Sequence, residues 1–95
     1  MNGFTFTWDP KKAAANARKH GVTLDEAVTI FDDPASKSFY DPDHSPNEDR
    51  FILVGMSAAL RLLVVCHCYR ENDETVRIIS ARRADKDEQS FYTEV

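Results

Sequence analysis

Residues 61–83 read RLLVVCHCYRENDETVRIISARR, and the rest of the chain is organised around them. Leu62–Tyr69 is an apolar run rich in β-branched residues, Arg70–Glu74 is a polar tip, and Thr75–Ala81 brings Val and Ile back. That pattern predicts two strands and a turn. Side chains alternate along a strand, so Leu62, Val64, Cys66 and Cys68 share one face and Leu63, Val65, His67 and Tyr69 the other. A five-residue turn sets Tyr69 opposite Thr75, Cys66 against Ile78 and His67 beside Arg77. A slip of one residue would pair His67 with Ile78 and put Arg77 opposite Cys68, burying a charge on the apolar side. The expected register therefore places His67 and Arg77 together on a half-covered face, with Arg82 and Arg83 just past the strand end.

A chain of 95 residues suits a single domain, residues 1–95, which buries roughly two-thirds of its extended surface. Apolar and charged fractions of 42% and 29% are those of a soluble globular protein. No apolar run approaches a membrane span, and MNGFTFTW has neither the basic nor the apolar region of a signal peptide, so a cytoplasmic location away from membranes is expected. The formal charge of −4 argues against coating by nucleic acid but says little about one patch. Residues 11–20 carry Lys11, Lys12, Arg18 and Lys19 without an acid, whereas residues 25–49 carry eight acids against Lys37. The two cysteines, Cys66 and Cys68, are two apart on one strand, which disfavours a disulfide between them. His67 points away from both sulfurs, which removes a Cys-His-Cys metal site.

Outward from the hairpin, Phe4–Trp8 alternates with Thr and predicts a short strand. Asp9 and Pro10 fit the N-cap and first position of a helix ending at His20, with Gly21 as a left-handed C-cap. Thr23 and Glu26 form a capping-box pattern opening a second helix with Leu24, Ala27, Val28 and Phe31 inward. Ser36–Asp41 reads as an edge strand, Asp41–Asp49 as a loop, Arg50–Met56 as a buried strand, and Lys86–Glu94 as a short helix capped by Asp85. The fold class is α+β: an antiparallel sheet meander with two N-terminal helices on one face and a short C-terminal helix.

No Ser-His-Asp set, phosphate-binding glycine loop or zinc spacing is present. What remains is a strand histidine, arginines, scattered lysines and the C-terminal Tyr92. Such a set suits RNA cleavage without a metal: a base takes the ribose 2′-hydroxyl proton, cations stabilise the phosphate, and an acid protonates the leaving oxygen. His67 fits either proton-transfer role, Arg77 or Arg82 the phosphate oxygens, and Tyr92 a base or a hydrogen bond. The same residues also suit a non-catalytic binding module, with Arg77 paired to a neighbouring glutamate and Tyr92 in the core.

Trp8-Asp9-Pro10-Lys11-Lys12-Ala13, Lys19-His20-Gly21-Val22, Phe31-Asp32-Asp33-Pro34, Glu48-Asp49-Arg50-Phe51 and Arg77-Ile78-Ile79-Ser80-Ala81-Arg82-Arg83-Ala84 occur in this order. Together they resemble the BrnT family over nearly the whole chain. The resemblance implies a bacterial type II toxin that cleaves RNA on a RelE-like fold. It also implies neutralisation by a BrnA-type antitoxin with a ribbon-helix-helix domain, two toxins on one antitoxin dimer, and repression of the operon by the complex, so that operator DNA is met only through the antitoxin. His67, Arg77, Arg82 and Tyr92 fall where the family's functional residues would lie, with Lys19, Arg83 and Lys37 as RNA contacts. No cofactor is implied. The expected antitoxin surface is the face bearing Leu63, Val65, Tyr69 and Ile79.

Overall fold

The computed structural model describes residues 3–44, 47–70 and 72–93. Strand β1 (Thr5–Thr7) leads into helix α1 (Pro10–His20) and helix α2 (Leu24–Thr29), which tightens into a 3-10 turn at Ile30–Asp32. Strands β2 (Lys37–Tyr40), β3 (Phe51–Met56), β4 (Leu62–Arg70) and β5 (Thr75–Arg83) follow, then helix α3 (Lys86–Thr93). The predicted order of elements is the observed one. Residue 94, the expected end of the last helix, lies outside the described residues, as do 45 and 46 of the loop before β3.

Local chemistry explains the helix ends. The Asp9 carboxylate accepts from the Lys11 amide at 2.8 Å, and Gly21 closes α1 at a φ of 67°, a conformation that suits glycine. Thr23 Oγ1 accepts from the Glu26 amide at 3.1 Å. Glu26 does not complete that capping box; it accepts from Arg61 Nε at 2.9 Å and from Ser57 Oγ at 2.7 Å, pinning α2 to the turn between β3 and β4. Arg61's guanidinium also holds the Glu26 carboxyl below its ordinary range, against the opposing effect of burial.

The sheet runs β1-β5-β4-β3-β2. It is mixed rather than wholly antiparallel, because β1 pairs parallel with β5 through Thr5–Thr7 and Thr75–Arg77. The α1–α2 excursion returns the chain to the far edge of the sheet, which leaves β1 free to lie beside the last strand. Val22, Leu24, Ala27 and Ile30 pack on Leu53, Leu63, Val65, Val76, Ile78 and Ala81 to form the core, each large aliphatic contributing about 1.5–3 kcal/mol. Gly55 permits this contact, since a Cβ there would lie 3.1 Å from the Cβ atoms of Ile30 and Ser36. Beyond Arg77 the outer edge of β5 has no strand neighbour among the described residues. Asn16 of α1 takes that place: its amide donates to the Ala81 carbonyl at 2.8 Å and to the Val22 carbonyl at 2.9 Å, and its oxygen accepts from the Ala81 amide at 3.0 Å.

The hairpin register differs from the expected one. Arg70 pairs with Thr75, so the connection is one residue shorter than five, and Asn72 and Asp73 turn the chain at φ values of 60° and 64°. Asn and Asp tolerate this left-handed region better than other side chains. His67 therefore faces Ile78, and Cys68 faces Arg77. A bulge then skips Ile79, so that Cys66 meets Ser80 and Val64 meets Arg82. By strand alternation His67 lies on the face under α1 and α2, and Arg77 on the other. The charge argument failed because Arg77 stays half-buried on the face that α1 and α2 do not cover, although Val54, Val64 and Cys68 on that face are buried; the core under those helices takes Leu63 and Val65. Arg82 and Arg83 also lie within β5 rather than beyond it.

Candidate functional site

His67 is 1% exposed. Its ring sits among those of Phe31, Phe51 and Tyr69, with centroids 5.0, 6.2 and 5.4 Å away. Nδ1 lies 3.3 Å from the Val65 carbonyl, and Nε2 has no hydrogen-bond partner among the described residues. Burial lowers its pKa from the ordinary 6.5, keeping the ring neutral. The expected pairing of His67 with Arg77 around one phosphate is thus corrected: a sheet lies between them. The expected antitoxin surface is corrected as well, because Leu63 and Val65 are fully buried by the protein's own helices.

The opposite face carries the cations. Across it run the rows Lys37–Val54–Val64–Arg82 and Phe39–Ile52–Cys66–Ser80, with Arg77 beside Cys68 near the hairpin tip. A groove of about 210 Å³ opens here between Arg50 and Arg82, floored by Ile52, Val64 and Cys66, with Asp41 as its carboxylate. Burial pushes the Cys66 thiol up, so it enters the groove neutral. Ile79 and Ser80, half-buried at the bulge, line this groove and also a second one of about 220 Å³ formed with Lys12, Lys19 and His20 of α1. The two hollows adjoin across β5. Arg50 and His20 line these hollows although the pattern reading did not single them out; His20 lay in view beside Lys19, but only the bulge in β5 joins it to the sheet face.

The remaining expected residues hold α3. Arg82 forms a two-pronged pair with Glu88, with both N–O distances 2.7 Å, which raises its pKa. Glu88 and Asp85 complete a reciprocal capping box at 2.8 and 2.9 Å. Tyr92 donates to Asp33 Oδ2 at 2.6 Å, and Lys37 Nζ donates to the Phe91 carbonyl at 2.6 Å. Burial acts to raise the Asp33 carboxyl, but bonds from the Met56 amide, the Tyr92 hydroxyl and the Ala35 amide together draw it below its ordinary value. Arg83 stands apart, lining a separate hollow with Arg61 and Tyr92. The structure thus gathers Arg77, Arg82 and Lys37 on one face with Lys19 next to it, and leaves out His67, Tyr92 and Arg83.

Among the described residues no group of three or more His, Cys, Asp or Glu side chains is placed to hold a metal ion. Among the same residues no helix is long and apolar enough to cross a membrane. Fold and site together define a small α+β protein with α1 and α2 on one sheet face and, on the other, a cation-lined groove beside α3. Residues 8–88 match the family described as ribonuclease toxin, BrnT, of type II toxin–antitoxin system, and the chain belongs to that family. It is accordingly a ribonuclease toxin with an antitoxin as its partner. In fold it is similar to the crystal structure of the Brucella abortus ribonuclease toxin BrnT, with a TM-score of 0.67 at 21% identity, over 87% of this chain and 99% of that one. No curated protein sequence matches the chain.

Proposed function

We propose that this protein cleaves RNA on the sheet face opposite α1 and α2, by metal-independent attack of a ribose 2′-hydroxyl on the adjacent phosphate. The observation that carries the reading is the meeting of the two grooves at Ile79 and Ser80. It gives a backbone one track past Lys12 and Lys19, over the bulge, and on to Arg82 and Arg50. Arginine forks suit phosphate oxygens and stabilise the charge that grows on them during attack; Arg82 keeps its fork on Glu88, so phosphate meets it by displacing that carboxylate. The proton-transfer role proposed for a histidine falls to His20, which lines the track, rather than to His67, whose ring is enclosed. Asp41 is the carboxylate lining the groove. In the wider reading the scaffold is RelE-like, and the antitoxin is a BrnA-type ribbon-helix-helix protein. Two toxins sit on its dimer, the complex represses its own operon, and the toxin acts in the cytoplasm.

The test is purified protein on a single-stranded RNA in EDTA. Cleavage with a cyclic phosphate end is expected, falling at least ten-fold in Arg77→Ala and in His20→Gln while both variants keep the wild-type circular dichroism spectrum. Activity lost in chelator and restored by magnesium would overturn the metal-independent reading. A non-catalytic binding role is favoured by a different feature, a hollow of about 610 Å³ walled by Phe4, Phe51 and Tyr69 and rimmed by Glu48, Asp49 and Asp73. Its acids repel RNA and suit a basic protein segment. Absence of RNA cleavage by soluble, folded protein would favour that role.

A further inference from the structure

Two aromatic rings flank the cationic groove without being consumed by the core. Phe39 on β2 is 41% exposed and Phe91 on α3 is 38% exposed. Their rings meet edge to face at a centroid distance of 5.5 Å. Phe39 pairs with Ile52, a floor residue of the groove, and so stands on the same sheet face. Lys37 Nζ lies 5.2 Å from the centre of the Phe91 ring.

Part of this contact fastens α3 to the sheet. Docking alone, however, would be served by burying the rings, and about two-fifths of each remains open, with Phe39 next to the groove's floor residue Ile52. A strand edge with an exposed phenylalanine is also a liability for self-association, so its retention next to a cationic groove calls for a ligand. Charge selects which one. The neighbouring arginines suit a polyanion, and flat apolar rings next to a phosphate track suit nucleobases, which stack on aromatic faces whatever their identity.

We infer that Phe39 and Phe91 form a nucleobase shelf, on which one or two unpaired bases of the RNA stack while their phosphates lie along the groove toward Arg82 and Arg50. This rests on the proposed cleavage face and names its substrate class: single-stranded rather than duplex RNA, because paired bases cannot present their faces to a ring. The shelf holds position without reading sequence, since every base has a stackable face.

The experiment measures binding of a fluorescein-labelled 2′-O-methyl RNA hexamer, which lacks the attacking hydroxyl, by anisotropy. The same hexamer with abasic spacers serves as the second probe. Phe39→Leu retains an apolar contact for Phe91, and hence α3, but removes one stacking face; circular dichroism checks that it stays folded. It should bind the base-bearing hexamer about ten-fold more weakly, bind the abasic one as wild type does, and regain affinity as Phe39→Trp. Arg77→Ala reports the cationic face through both probes. If Arg77→Ala weakens binding while Phe39→Leu does not, the shelf is overturned and the cleavage face stands. If neither weakens binding, the cleavage face itself is overturned, and the shelf with it.

Discussion

Protonating His67 would place a charge inside a box of Phe31, Phe51 and Tyr69 rings, where Nδ1 has the Val65 carbonyl but Nε2 has no acceptor among the described residues. The unfolded chain takes up that proton near pH 6.5, whereas burial lowers the folded pKa. Stability is therefore full above about pH 6.5 and is lost as pH falls below it, because the unfolded state then binds more protons. Glu26, Asp33 and Glu88 have lowered folded values, and their contribution is lost further down, below the ordinary carboxylate values of 4.5, 3.8 and 4.5. Urea denaturation between pH 7.5 and pH 5 should therefore show a falling midpoint in the wild type and a much flatter one in His67→Leu. Replacing an unpaired buried polar ring by an apolar side chain of comparable size is near neutral at pH 7.5. Should that variant keep its stability but lose cleavage, His67 takes part in the chemistry despite its burial.

Helix α3 has no fully buried side chain, and a helix of this length has little stability alone. It is held by four contacts of different kinds: Arg82 with Glu88, Tyr92 with Asp33, Lys37 with the Phe91 carbonyl, and Phe91 with Phe39. Arg82 thus joins the groove to the helix. Tyr92→Phe removes one bond to a carboxylate that solvent partly reaches, which costs about 1 kcal/mol. For a domain of this size that is about 4–8 °C in melting temperature, measurable by circular dichroism. Cleavage should be retained, because Tyr92 lies outside the groove. A variant melting like wild type yet cleaving ten-fold more slowly would give the hydroxyl a place in the reaction.

At the scale of the molecule, a chain of net charge −4 gathers cations along one track, with Asp41 among them and Glu88 on Arg82. Cations from α1, β5 and Arg50 border the joined grooves, while Glu48, Asp49 and Asp73 rim the aromatic hollow. Neutralising RNA phosphates releases counterions, so affinity falls with salt by a slope of about −0.7 per contact for a single strand. Three or four contacts along the track give a slope of about −2 to −3 in log affinity against log salt. Anisotropy between 50 and 200 mM salt measures it. A slope near zero would mean that the cations do not meet phosphate.

Much of this fold was legible in local patterns. The caps at Asp9, Gly21, Thr23 and Asp85, the order of strands and helices, and the pairing of β4 with β5 all follow from residues close together in the chain, where hydrogen-bonding chemistry and side-chain period decide. The covered face was not legible. Both faces of Leu62–Cys68 are apolar enough to be a core, so alternation could not say on which one α1 and α2 would pack. The register turned on a connection one residue shorter than expected and on a bulge at Ile79, neither of which has a signal in hydrophobic period. The family resemblance rested on which residues are present, and presence does not depend on the face they occupy. Whether His67 meets solvent or Phe31 depends on the docking of helices far back in the chain, and so does the joining of His20 to the groove. Those are long-range contacts, and packing of the whole sheet decided them.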